Sequence, residues 1–221
     1  MELMRISQAS IILLTLFASL GLAQTASFAQ PAKDPYAHAV PPVSNKVYNA
    51  ISGIPDSRIE LLEQAVFDRT NAIRAENNVA PLIKNDLLQA VARSHSQDMA
   101  IHHYFGHDTG PLADGPMDRA HMAGVCGVAK DCEMDSENLS NTGMQNAAGA
   151  LILFGSDNDV ATMLGYTVDN PNFGFMSDAG HRGNILDNRT EQMAVGIALS
   201  DNGTLYVTQD FIRVTSVPPT P

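Results

Sequence analysis

The chain has 221 residues, 44% of them hydrophobic, and a formal net charge of -11 from 13 Lys plus Arg against 24 Asp plus Glu. The length fits one domain with tails. The acidic balance argues against a nucleic-acid partner and against attachment to an anionic membrane surface, and 6% aromatics with no Trp leave little for a stacking platform.

In chain order, Arg5 precedes an apolar run from Ile11 to Leu22, and Ser27-Phe28-Ala29 precedes Gln30-Pro31. Small residues three and one before a cut suit a signal-peptidase site, so residues 1–29 read as a signal peptide and the mature chain is expected to begin at Gln30. A cut after Ala23 is a second option. The rival reading, an uncleaved anchor, has an apolar run shorter than a comfortable span. No later segment has an unbroken apolar stretch of spanning length, so the mature protein is expected to be secreted or periplasmic without an integral span. Residues 30–54 read as a linker, with Pro31, Pro35, Pro41 and Pro42, and Pro55 at its end. The folded domain is expected over 55–214. A flexible tail follows over 215–221, where Pro218, Pro219 and Pro221 can continue neither a helix nor a central strand.

Ser57 and Glu60 have capping-box spacing, and Ile59, Leu62, Val66 and Ile73 then fall on one helical face. Asn77-Asn78 stops that helix. A second runs from about Asn85-Asp86 to about His102, with Leu88, Val91, Ala92, His95 and Met99 sharing a face. Beyond His107, Gly110, Pro111, Gly115 and Pro116 mark a long loop, broken by a short turn over 117–123. Ser136–Asn141 reads as a short strand. Helical segments follow over 145–154, 160–168 and 178–187, the last with Ser177 as a cap. Val195, Ile197 and Leu199 alternate with small residues, Asp201-Asn202-Gly203 makes a turn, and Leu205, Val207 and Phe211 alternate on the return strand. Helices, a strand, helices and then paired strands give an α+β layered domain, not a doubly wound sheet.

The two cysteines, Cys126 and Cys132, are expected to form a disulfide in an exported protein. Closing so short a loop adds only about 2 kcal/mol, which staples the loop without holding the fold. A structural zinc site is the weaker alternative, because two cysteines lack a neighbouring pair.

Seven histidines carry the chemical information. His38 lies in the linker. His95 sits on the apolar face of the second helix, where a lone histidine is more often a satisfied core residue than a ligand. His103 and His107 are four apart, but Gly106 intervenes and the helix is expected to end before it. His107, Glu137 and His181 each stand in a polar stretch flanked by structural residues. Two imidazoles and a carboxylate can form a three-ligand zinc site with an open position, although residue types alone are weak evidence. No H-E-x-x-H motif, G-x-S-x-G elbow or phosphate-binding glycine loop is present.

Four ordered segments are more specific. They are NAIRAENNVAPL (71–82), ARSHSQDMAIHHYFGHD (92–108), SENLS (136–140) and MSDAGHRGNILD (176–187), the last followed by AVGIAL (194–199). Together they resemble the CAP superfamily of cysteine-rich secretory proteins, antigen 5 and type 1 pathogenesis-related proteins, in its bacterial SCP-like extracellular branch. The resemblance covers residues 60 to 212. It implies a three-layer α-β-α sandwich with a small antiparallel sheet between helices, and a cleft lined by two histidines and two glutamates. By motif, His107, Glu137 and His181 carry over. The fourth position does not: 161–170 reads ATMLGYTVDN, and Asp169 is its nearest carboxylate. The resemblance further implies a monomer that binds a lipid-like ligand, an envelope partner or a divalent metal such as zinc at His107, His181 and Glu137, with no metal needed for folding. A metal-dependent hydrolase using the same cleft is the alternative.

Overall fold

The computed structural model describes residues 56–109, 114–125, 132–143 and 157–215. The chain divides into residues 1–32 and 33–221, and all described residues lie in the second unit. The signal peptide, the whole linker, the helix expected at 145–154 and Cys126 lie outside the described residues. No described helix is long and apolar enough to cross a membrane.

Helix α1 (Asp56–Glu76) buries Ile59, Leu62, Val66, Thr70 and Ile73 along one stripe. That is the three-and-four spacing of its apolar residues. Ser57 lies inside the first turn and is not the cap. The two-residue strand β1 (Ile83–Lys84) leads into α2 (Asp86–His102), whose N-cap Asn85 accepts from the Leu88 N–H at 2.9 Å. The predicted face of α2 is buried as read. The helix stops at His103, which takes the left-handed conformation with φ 53°, so His103 and His107 do not share a helical face. A short helix α3 (Pro116–Met122) replaces the expected turn, with Pro116 at its start, where a missing N–H is no loss.

Strand β2 (Cys132–Gly143) is twice the expected strand. After it come α4 (Asp157–Thr167), α5 (Ala179–Leu186), β3 (Gln192–Leu199) and β4 (Thr204–Val214). The α5 cap is Asp178, whose carboxylate accepts from the His181 N–H at 2.9 Å, and not Ser177, whose hydroxyl donates to the Gly174 carbonyl. The sheet order is β1-β3-β4-β2. It is mixed rather than purely antiparallel, because β1 runs parallel to β3.

The alternation along β3 explains the layers. Val195, Ile197 and Leu199 join α1, α4 and α5 in the largest core cluster, with Leu62, Val66, Met163 and Ile185. Ala194 and Ala198 face the other way, toward α2 and α3. Side chains on successive strand residues point to opposite faces, so bulky residues fill one side while small ones admit α2 on the other. Gly196 sits at the closest approach: a Cβ there would lie 2.1 Å from the Ala92 carbonyl carbon. The result is the expected α-β-α sandwich.

Candidate functional site

The site is built around β2, one of the two edge strands of the described sheet. Met134 pairs with Ile212, and Ser136 pairs with Phe211, so Asp135 is a bulge residue. The bulge resets the alternation. Glu137 therefore faces the same side as Met134, toward α2 and α3, while Asn138 faces α1 and α5.

Glu137 is buried, and both its oxygens are engaged. His107 Nδ1–H donates to Oε1 at 2.8 Å, and the Arg119 guanidinium on α3 donates to Oε2. Arg119 is itself buried and donates to the His107 carbonyl, the Thr109 hydroxyl at 3.1 Å and the Asp114 carbonyl at 3.0 Å. One guanidinium thus ties the loop after α2 to the edge strand. His95 completes this side: its Nε2–H donates to the Gly106 carbonyl at 3.0 Å, and its Nδ1 accepts from Thr109 at 3.0 Å. Those partners fit a neutral imidazole of a single tautomer. Its Nε2 lies 4.0 Å from Glu137 Oε1.

The ionisation states follow from these contacts. Burial and the adjacent Arg119 charge push His95 down to about 4. The hydrogen bond to Glu137 raises His107. Burial alone would push Glu137 up, but the His107 hydrogen bond and the Arg119 charge hold its carboxyl below the ordinary range. His181 is lowered by burial, with the His107 charge adding to the effect.

Asn138, fully buried, connects the other face. Its Nδ2 donates to the His181 carbonyl at 3.1 Å and to Gln209 Oε1 at 3.0 Å, while its Oδ1 accepts from Asn184 at 2.8 Å. Gln209 continues to Thr70 on α1 at 2.9 Å. The neighbouring residues Glu137 and Asn138 therefore hold His107 from one side of β2 and α5, with His181, from the other. Arg74, buried on α1, fixes the far end of α5 by donating to the Ile185 and Asp187 carbonyls at 2.7 and 3.0 Å. The burial of Asn138 also closes the Asn138-Leu139-Ser140 sequon to modification of the folded chain.

Of the site residues expected from sequence, His107 and Glu137 are in direct contact, and His181 is tied to them through Asn138. Asp169 is held elsewhere, forked by Arg69 Nε at 2.9 and 3.1 Å. Three participants were missed. Arg119 carries no sequence signal of its own, Asn138 stands inside the SENLS segment with no role assigned to it there, and His95 is the core residue expected, with a place beside Glu137 that the sequence does not show.

A carboxylate ligand of a divalent metal must offer a lone pair to the ion. Glu137 gives one oxygen to His107 and the other to a buried guanidinium, whose charge opposes a cation. Among the described residues, no three His, Cys, Asp or Glu side chains are gathered as a metal cage. Glu137 thus acts as the partner that orients the His107 ring, not as a third ligand.

A sequence model of the cysteine-rich secretory protein family (CAP) matches residues 67–211. Among solved structures, the chain is similar to an extracellular protein containing an SCP domain from Bacillus anthracis, with 23% identity over 78% of this chain and 44% of that one, at a TM-score of 0.47. It is similar to an outer surface protein from Borrelia burgdorferi, with 12% identity over 72% of this chain and 94% of that one, at 0.48. It also resembles a cysteine-rich secretory protein from Staphylococcus aureus, with 16% identity over 72% of this chain and 40% of that one, at 0.44. The chain thus spans less than half of the first and third of these proteins. No curated protein matches it.

Proposed function

The chain belongs to the cysteine-rich secretory protein (CAP) family, and from that premise we propose that it is an exported binding protein whose ligand is an uncharged, lipid-like aliphatic chain. The observation that carries this reading is a groove between α1 and α4 of about 540 Å³, lined by Leu61, Ala65, Val160, Ala161 and Leu164. Its volume lies within the range of small-molecule sites, about 300–1,000 Å³. The lining is aliphatic, so it rewards burial of a methylene chain rather than stacking or ion pairing. Its polar members are Gln64 and Asp68, and Gln64 Nε2 already donates to Asp68 Oδ1 at 2.8 Å. The single carboxylate disfavours an anionic head group. The groove shares no residue with the His107–Glu137 site, so apolar binding and the ordered imidazoles are separate features of the fold.

The His107–Glu137 dyad favours no hydrolase step on its own. Glu137 is neutralised by Arg119 and is a poor general base, and no nucleophile stands beside His107 among the contacts described above.

The test uses Nile red, an uncharged apolar dye, with dodecanol as competitor. Emission should rise on binding, fall as dodecanol displaces the dye, and be lost in Ala161→Trp, which fills the groove from an exposed position. His107→Ala should bind as the wild type does. Loss of binding in His107→Ala with retention in Ala161→Trp would move the ligand to the imidazole cleft and overturn the reading.

A further inference from the structure

Glu137 has a second neighbour that the site described above does not use. Asp210 on β4 is its register partner across the β2–β4 pair. The two carboxyl groups face the same side of the sheet, toward α2 and α3. Asp210 is fully buried, and neither of its side-chain oxygens meets a donor group among the described residues. What lies against it is the Glu137 carboxyl.

The charged groups around the pair can be enumerated by element. From α3 comes Arg119, whose Nη1 and Nη2 donate to Glu137 and to three loop acceptors, while its buried Nε meets no acceptor, Asp210 included, among the described residues. From α2 comes His95, neutral by its hydrogen bonds. From the loop after α2 comes His107, which donates to Glu137. On the β3 side, the register partner of Asp210 is Ala194, which carries no charge. One buried guanidinium therefore faces two buried carboxyls. Two like charges at contact in a site closed to water cannot both persist. Of the two, Glu137 has the hydrogen-bond donors that stabilise an anion, and Asp210 has none.

We propose that Glu137 and Asp210 share one proton at neutral pH, that the proton resides on Asp210, and that Asp210 donates it as a hydrogen bond to Glu137, making Asp210 a positioning residue for the Glu137–His107 dyad. Glu137 then carries a single negative charge met by three donors, and His107 is held with Nδ1 inward. The ionisation trend agrees: burial, and then the Glu137 charge, raise Asp210 well above the ordinary carboxyl range, while Glu137 is lowered.

The direct test is carbon NMR of wild-type protein labelled at aspartate side-chain carboxyls, with chelator present. The Asp210 signal is assigned by through-bond correlation to its own Cα, so no variant has to fold. It should resonate as a neutral acid and stay unchanged between about pH 5 and about pH 8. An ionised Asp210 at neutral pH overturns the proposal.

A second readout is the His107 titration midpoint, which a purely structural role would not move in a sign-dependent way. Asp210→Asn replaces a neutral donor with a neutral donor and should leave the midpoint within about 0.3 units. Asp210→Ala removes the donor to Glu137 and should raise it. If Asp210 were ionised in the wild type, either substitution would delete a negative charge and lower the His107 midpoint, and that result would equally overturn the proposal.

Discussion

The Asn138 side chain donates to the backbone carbonyl of His181 at 3.1 Å, across 43 residues of sequence. It is the residue next to Glu137, and strand geometry sends the two side chains to opposite faces of β2. One dipeptide therefore holds both histidines, His107 through a carboxylate and the His181 backbone through an amide.

Replacing Asn138 by Ala should be costly for that reason. The substitution leaves Gln209 Oε1, Asn184 Nδ2 and the His181 carbonyl without their partner in a buried setting. A loss of about 3 kcal/mol is expected, measured by urea denaturation. The His181 amide resonance should move while the His107 ring signals hold. A loss below about 1 kcal/mol would mean that the network contributes little.

Gly196→Ala and Gly183→Ala should behave oppositely. A Cβ at Gly196 would strike the backbone of Ala92 and Arg93, which cannot yield without moving α2, whereas a Cβ at Gly183 meets nothing within 4 Å. The first should destabilise by about 3 kcal/mol or prevent folding. The second should be neutral or stabilise by up to about 1 kcal/mol, because Ala is the better helix former. Thermal melts of the two variants decide it, and equal behaviour would contradict the packing argument.

His95 gives the fold an acid-sensitive element. Its folded value is about 4 against an ordinary 6.5. Between those values the unfolded chain binds the proton and the folded chain does not, so stability falls as pH falls through this window. The same sign applies to His181, whose value is also lowered. His95→Gln keeps a donor for Gly106 but cannot titrate. Between about pH 6.5 and about pH 5 the wild type should lose about 2 kcal/mol more than the variant. Chemical denaturation at the two pH values measures this, and parallel losses in both proteins would remove His95 as the cause.

Cys126 and Cys132 should be linked in protein recovered from the exported fraction, and non-reducing peptide mapping would show the joined fragment. Substituting both should cost about 2 kcal/mol at most, because the closed loop is short. Free thiols under native, oxidising conditions would contradict the bridge.

Much of the fold was legible because it rests on local pattern. The stripe Ile59-Leu62-Val66-Ile73 announced α1, and the large/small alternation of AVGIAL announced a strand between two layers. The four motif segments placed His107, Glu137 and His181. What stayed hidden depends on register and distance. The bulge at Asp135 decides which face Glu137 takes, and no periodicity in CEMDSEN reveals it. Arg119 is one arginine on a seven-residue helix, and its role follows only from the loop that wraps it. Asp210 stands between Gln209 and Phe211 in a strand of mixed polar and apolar residues, and only the β2–β4 register brings it against Glu137. Asp169, the stand-in for the missing glutamate, was close in sequence to the expected position, but Arg69 on α1 holds it.

The reading of this protein as an apolar-chain binder is tested most directly by locating the ligand. Methyl-labelled wild-type protein would be titrated with dodecanol and followed by carbon–proton correlation NMR. The account predicts that the methyls of Leu61, Ala65, Val160, Ala161 and Leu164 shift together and saturably, while the ring signals of His107 and His181 stay in place. Shifts confined to residues around His107 and His181, with the α1–α4 methyls unmoved, would contradict it.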